Sequence, residues 1–364
     1  MWLKPINSPQ QRLKSQQGAI LILVLWSVAL ITLLVAVLAS EVRLSAKAVA
    51  FHQTDIENWS KVLQAQHLAE MELMIQRMPE DQLDDKTPLS EREYPLLRFN
   101  GQPLQLSYPL PDGVEVRIYD HAGLLNIRQL TPARWRDLFR QQIGEDDLER
   151  LDALQQAWQD WLDPDDLKQV NGAEKDHYER LNPPYAPRNA LPETVEELRL
   201  IKGFDTIFKD VNLSAVFTVY GAINGINPNY ATPEVLRLLP GFDDKSIAGL
   251  LALRDTQEIL STNDLRDLMT PDDLQKVAPW LQYAKMGSNI YTIAITIIPP
   301  QAPADSAVPE AQAKTADSGP KHAYLVTVEA KGYALPPKVL RVDPYGVLPD
   351  YAKYAPAAEP EPKT

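Results

Sequence analysis

The stretch from Ala19 to Ser40 contains no charged residue and is apolar almost throughout, and nothing else in the chain constrains it so strongly. As an α-helix rising ~1.5 Å per residue it spans roughly 33 Å, against ~30 Å for the hydrocarbon core of a bilayer. A secretory signal has a shorter apolar segment followed by a small-residue cleavage site, so this run reads as an anchor that stays on the chain. Lys4, Arg12 and Lys14 precede it, with no acidic residue up to Gly18. That positive flank holds the N-terminal end in the cytoplasm and sends the remainder across the membrane, which in a bacterium means the periplasm.

A basic leader, a glycine and then the apolar helix resemble the type IV prepilin pattern. In such proteins a membrane peptidase cuts after the glycine, here between Gly18 and Ala19, and the helix remains attached. The plainer alternative is an uncleaved signal anchor. Prepilins commonly carry Glu at the fifth mature position, where it pairs with the amino terminus of a neighbouring subunit; this chain has Leu23. A subunit without that charge has none to satisfy inside an apolar filament core, which suits a filament end.

Beyond the anchor, Ile56, Trp59, Leu63, Met71, Met74, Ile75 and Met78 recur at helical spacing between polar residues. This predicts a helix continuing to Pro79, roughly 90 Å from its start, with that stripe facing a core. Residues 80–100 read as a loop. Leu104, Leu106 and Tyr108, the turn 109–113, and Val114, Val116 and Ile118 read as a β-hairpin. From 130 to 285 the pattern is helical with no convincing strand. Strands return at 290–298, 323–330 and 339–342. The Pro- and Ala-rich segment 299–321 between them reads as a mobile loop, and 346–364 as a disordered tail. Long helix, strands, helical block and strands is the order of an all-α domain inserted into an α+β domain.

Within the block, residues 194–205 and 232–243 are identical at eight of twelve positions. Each begins with a capping Thr and carries a Gly placed to end a short helix, the first half of a helical hairpin. Leu236, Leu239, Ile247, Leu250 and Leu251 should pack the second copy. A DNA-binding hairpin would offer backbone N–H groups to phosphate at this turn. Asp205, Asp243 and Asp244 stand there instead and repel it. With 49 acidic against 36 basic residues, a net charge of −13 and no basic run, nucleic acid is a poor partner for this chain.

Asp160, Asp163, Asp165 and Asp166 crowd one short segment, and Glu174 follows. Oxygen-only ligands suit a hard cation such as Ca²⁺. Counted from Asp163, Asp165 and Glu174 fall at EF-hand positions, but Leu167 and Lys168 stand at the fifth and sixth, so this is no EF-hand. The residues leave two readings open, a calcium loop of another geometry or a solvated acidic loop with helix caps. Paired carboxylates also serve glycoside hydrolysis, which nothing else supports. The chain has no cysteine and five scattered histidines, without a metalloprotease, nucleophile-elbow or phosphate-loop motif, so no enzyme is expected.

Taken together, Gly18 with Leu23 after it, 120–126, 160–163, 172–178, 183–189, 196–203 and 226–236 resemble, in this order, the minor pseudopilin K family of type II secretion. The resemblance runs from Gly18 to the strand at 338–342. It implies a pilin-like α+β fold, with a long N-terminal helix and an antiparallel sheet carrying a large inserted all-α domain. The division is a leader (1–18), transmembrane helix (19–40), periplasmic helix (41–79), first pilin part (80–129), inserted domain (130–285), second pilin part (286–345) and tail (346–364). It further implies a single-pass protein of the bacterial inner membrane, cleaved by the prepilin peptidase and N-methylated at Ala19. Its partners would be minor pseudopilins I and J, with the other pseudopilins and the inner-membrane assembly platform. Calcium is implied in the α-domain, with Asp160, Asp163, Asp165 and Glu174 as its ligands. The competing readings are a type IV pilus minor pilin with an adhesive or DNA-contacting tip, and an anchored hydrolase.

Overall fold

The computed structural model describes residues 16–78, 99–104, 106, 108–144, 146–283, 287–298 and 321–354. The chain divides into two compact units, Met1–Ser60 and Lys61–Thr364. Helix α1 covers Gln16–Ile75, and its residues up to 60 form the first unit. It is long and apolar enough to cross a membrane, with a window of mean hydropathy 3.0. Gly18 and Ala19 lie within this helix, so it begins inside the expected leader.

The second unit takes in residues 61–75 of α1, then β1 (Asn100–Pro103), β2 (Val114–Asp120) and β3 (Leu125–Asn126). A helical block follows: α2 (Pro132–Ile143), α3 (Leu148–Leu162), α4 (Lys175–Tyr178), α5 (Phe204–Ile207), α6 (Leu213–Val216), strand β4 (Phe217–Thr218), α7 (Pro233–Leu238), α8 (Asp244–Thr256) and α9 (Pro271–Val277). Strands β5 (Ile290–Ile297), β6 (His322–Glu329) and β7 (Lys338–Val347) complete an antiparallel five-stranded sheet of order β1-β2-β5-β6-β7. The expected hairpin is present, with its first strand set earlier than the Leu104–Tyr108 pattern suggested. Gly113, at φ +72°, makes the turn before β2.

The block enters after β2 and leaves before β5, and these strands are neighbours in register, Asp120 opposite Tyr291. An insertion whose two ends lie side by side leaves the sheet unbroken. The Asp120 carboxylate joins them. It accepts from the Ala122 backbone N–H at 2.8 Å on the way in, and from the Ser288 N–H at 3.0 Å and hydroxyl at 2.6 Å on the way out. Beside it, buried His121 lies between the hydroxyls of Thr218 and Thr292, each 2.8 Å from a ring nitrogen.

One sheet face buries Val116, Ile118, Ile293, Ile295, Val326 and Val328 against Val62, Ala65, Ala69 and Leu73 of α1. The stripe expected to face this core does not do so. Ile56 is 69% exposed and Trp59 49%, and Met71, Met74 and Ile75 are only half-buried. The packed face carries Val62, Ala65, Ala69 and Leu73, and the small side chains among them do not stand out in a hydropathy pattern. Helix α1 ends at Ile75 with a turn to Met78, and Pro79 falls outside the described residues.

The block has its own core around Trp135, Phe139, Trp158, Phe204, Phe208 and Phe217, with the Trp135 and Trp158 rings 4.7 Å apart. It is not purely helical, since β4 pairs in parallel with β3. The repeat is present but unequal. The second copy forms α7 and α8, with Leu236, Leu239, Ile247, Leu250 and Leu251 buried. The first forms a 3₁₀ turn at Val195–Leu200 followed by the four-residue α5. Gly203 and Gly241, at φ +83° and +90°, make the equivalent turns.

The tail departs from expectation. Strand β7 runs to Val347, Leu348 is buried on the second sheet face with Tyr119, Ala294 and Leu325, and a 3₁₀ turn covers Ala352–Tyr354. The Pro/Ala-rich composition that predicts disorder begins only after Tyr354, so the tail's boundary at 346 lies too early. Residues 355–364 lie outside the described set, as do 299–320 of the expected mobile loop.

Candidate metal centre

Helix α3 begins with the Asp147 side chain capping the Arg150 N–H and buries Leu151, Leu154, Trp158 and Trp161. Its last turn carries Asp160 into the interior, fully buried, and Asp163 is the residue that ends it. The chain then loops through 164–173 and returns at Glu174, which precedes α4 and is only 2% exposed. Carboxylate oxygens of Asp160, Asp163 and Glu174 lie within 4.8 Å of one another. Asp165 is not in this group; exposed, it accepts from the Leu167 N–H at 2.8 Å in a local turn.

Several contacts hold the loop shut. The Gln169 N–H points at the Asp160 carboxylate, 3.2 Å from Oδ2. The Asn171 N–H donates to Gln156 Oε1 at 2.7 Å. Lys202 Nζ donates to the carbonyls of Asn171 and Gly172 at 3.0 and 3.2 Å. Tyr178 and Tyr185 pack on Trp161 behind the cluster, with ring centroids 5.3 and 6.5 Å from it.

Both oxygens of Glu174 and Oδ1 of Asp163 are buried without a hydrogen-bond partner. A buried, unpaired carboxylate is costly, so such groups are neutralised by a proton or by a cation. Burial and then the charges of Asp160, Asp163 and Asp166 push the Glu174 carboxyl up to about 7. Burial, then Asp165 and Asp160, raises Asp163. Converging oxygens with free lone pairs, and no nitrogen or sulfur among them, fit a hard divalent cation rather than a transition metal.

Of the four residues expected as ligands, the fold therefore brings three together and leaves Asp165 aside. Gly172 and Lys202 were not singled out from the sequence. Gly172 was visible as a small residue two positions before Glu174. Lys202 was visible as the place where the first repeat has lysine and the second has Pro240. Leu23 lies on α1 in the first unit and is 70% exposed.

Residues 123–210 match the sequence model of the family described as Type II secretion system (T2SS), protein K. The type II secretion system protein K of Pectobacterium carotovorum subsp. carotovorum is 35% identical over 75 residues, 21% of this chain and 23% of that protein. This chain thus matches about a quarter of that relative's length. The solved GspK-GspI-GspJ complex of the enterotoxigenic Escherichia coli type 2 secretion system aligns with a TM-score of 0.47 and 14% identity, over 82% of this chain and 98% of that one, a distant likeness. The family match falls on the part of the helical block that holds the carboxylate cluster.

Proposed function

We propose that this chain is a minor pseudopilin of the type II secretion system, acting at the tip of the pseudopilus. The observation that carries the reading is the placing of the protein K match. It falls on a block inserted between two neighbouring strands of a sheet whose other face packs on the N-terminal helix. Residues 19–40 anchor the chain in the inner membrane after cleavage between Gly18 and Ala19 and methylation of Ala19, and the bulk lies in the periplasm. Leu23 offers no charge to a subunit above, and the inserted block is too bulky to stack beneath one, so both favour a cap. The partners are minor pseudopilins I and J, with which the chain initiates assembly of a filament that supports export of folded proteins. Its role is assembly and not catalysis.

We further propose that Asp160, Asp163 and Glu174 hold a calcium ion, supported by the three orphaned oxygens. Calcium would offset most of the cluster's negative charge and lock the loop 164–173 onto α3. The test is co-expression of the full chain with candidate I and J pseudopilins and the prepilin peptidase, followed by extraction in detergent. The expected result is a 1:1:1 complex whose protein K member begins with N-methylalanine at position 19. A chain that stays alone, with its leader intact, overturns the reading.

A further inference from the structure

The carboxylate cluster and the helical repeat meet at one side chain. Lys202 lies in the first repeat, one residue before the turn glycine, where the second repeat has Pro240. Its ammonium donates to the carbonyls of Asn171 and Gly172, its own backbone N–H donates to the Tyr178 hydroxyl at 3.3 Å, and the side chain is half-buried. The peptide it grips lies against the cluster. A Cβ added at Gly172 would sit 1.9 Å from Asp160 Oδ2. The second repeat makes no such contact; its equivalent region holds the tail through Asp244 and Arg237. The two copies of one motif have been put to two different attachments.

We propose that Lys202 is a positioning residue of the cation site, holding the loop 164–173 closed before any metal arrives, so that Asp160, Asp163 and Glu174 are already gathered. This rests on the calcium reading above. A flexible loop that must be ordered by its ligand loses affinity to that ordering, and preorganisation removes the loss. The charge of Lys202 opposes this, because it repels an incoming cation. Its hydrogen bonds go to neutral carbonyls and the side chain is part-solvated, so that repulsion is long-range and yields to salt. The tether is short-range and does not.

The experiment uses the full chain in detergent, with Ca²⁺ as the probe. Amide exchange at 169–174 in chelator-treated wild type should be slow, at least tenfold slower than in Lys202→Met, while Lys202→Arg keeps the wild-type rate. In saturating Ca²⁺ all three should exchange alike. Calorimetric titration at about 0.5 M salt, where the Debye length is roughly 4 Å, should show K202M binding Ca²⁺ at least tenfold more weakly than wild type, with K202R restoring it. A lysine that merely supports the fold would instead raise exchange throughout the block in both conditions. Free exchange of the wild-type loop without metal overturns the proposal with no variant needed, as does equal or tighter binding by K202M at high salt. A wild type that binds no Ca²⁺ overturns the calcium reading itself, and the proposal with it.

Discussion

Asp160 and Gly172 are packed so closely that a methyl group on the glycine would lie 1.9 Å from the aspartate's Oδ2. Asp160 is fully buried and its carboxylate already faces the Gln169 N–H, so it has nowhere to retreat without leaving the cluster. Gly172→Ala should therefore destabilise the metal-free chain by about 1–3 kcal/mol, the usual cost of overpacking a tight site. It should weaken calcium binding as well. Urea unfolding with and without Ca²⁺ reads both effects, and an alanine variant with wild-type affinity would show that Asp160 is not a ligand.

Two buried groups bend stability with pH in opposite directions. Glu174 is pushed up to about 7 from an ordinary 4.5, so the folded chain holds this proton more tightly than the unfolded one. Stability is then greatest below 4.5 and falls as pH rises through 7. Burial lowers His121 to about 3 from 6.5, so its contribution is complete above 6.5 and is lost as pH falls towards 3. The two oppose each other between 4.5 and 6.5, and the wild-type melting curve alone cannot separate them.

Glu174→Gln removes one of the two. With chelator present, E174Q should melt above wild type at pH 8 and level with it at pH 4.5. Calcium should reverse the order at pH 8, because only the carboxylate gains a bound cation. Scanning fluorimetry across pH checks this, and a constant gap between the two proteins would contradict the raised carboxyl.

The long apolar helix, the strands and the inserted block were legible because each rests on a strong pattern: an uncharged run, period-two alternation, and a change to helical spacing. The core face of α1 was not. Ala65 and Ala69 are fully buried there while Ile56 is exposed, and a buried alanine leaves little mark on a hydropathy pattern. Ala69→Leu should accordingly cost about 1–3 kcal/mol in urea unfolding of the full chain, more than truncating the larger but half-buried Met74 to alanine. The carboxylate cluster was legible as composition. Which acids converge depends on how the loop 164–173 closes, and that is set by backbone contacts to Gln156, Asp160 and Lys202 that leave no periodic trace.

The tail offers the last test, because its composition concealed a strap. Tyr351 donates to the Asn100 carbonyl at 2.8 Å and packs beneath Arg254 of α8, its ring 6.0 Å from the guanidinium. The Asp350 N–H donates to Glu234 of α7, and Lys353 and Tyr354 both reach Asp244. One short segment thus touches β1, α7 and α8. The aromatic burial should outweigh the ion pair, since Lys353 and Asp244 are both well exposed and water screens their attraction. Tyr351→Ala should cost about 2–4 kcal/mol, Tyr351→Phe about 1 kcal/mol for the lost hydrogen bond, and Lys353→Ala little. Urea midpoints of the three variants rank them, and a lysine variant weaker than Tyr351→Ala would mean that the charges, not the ring, fasten the block to the sheet.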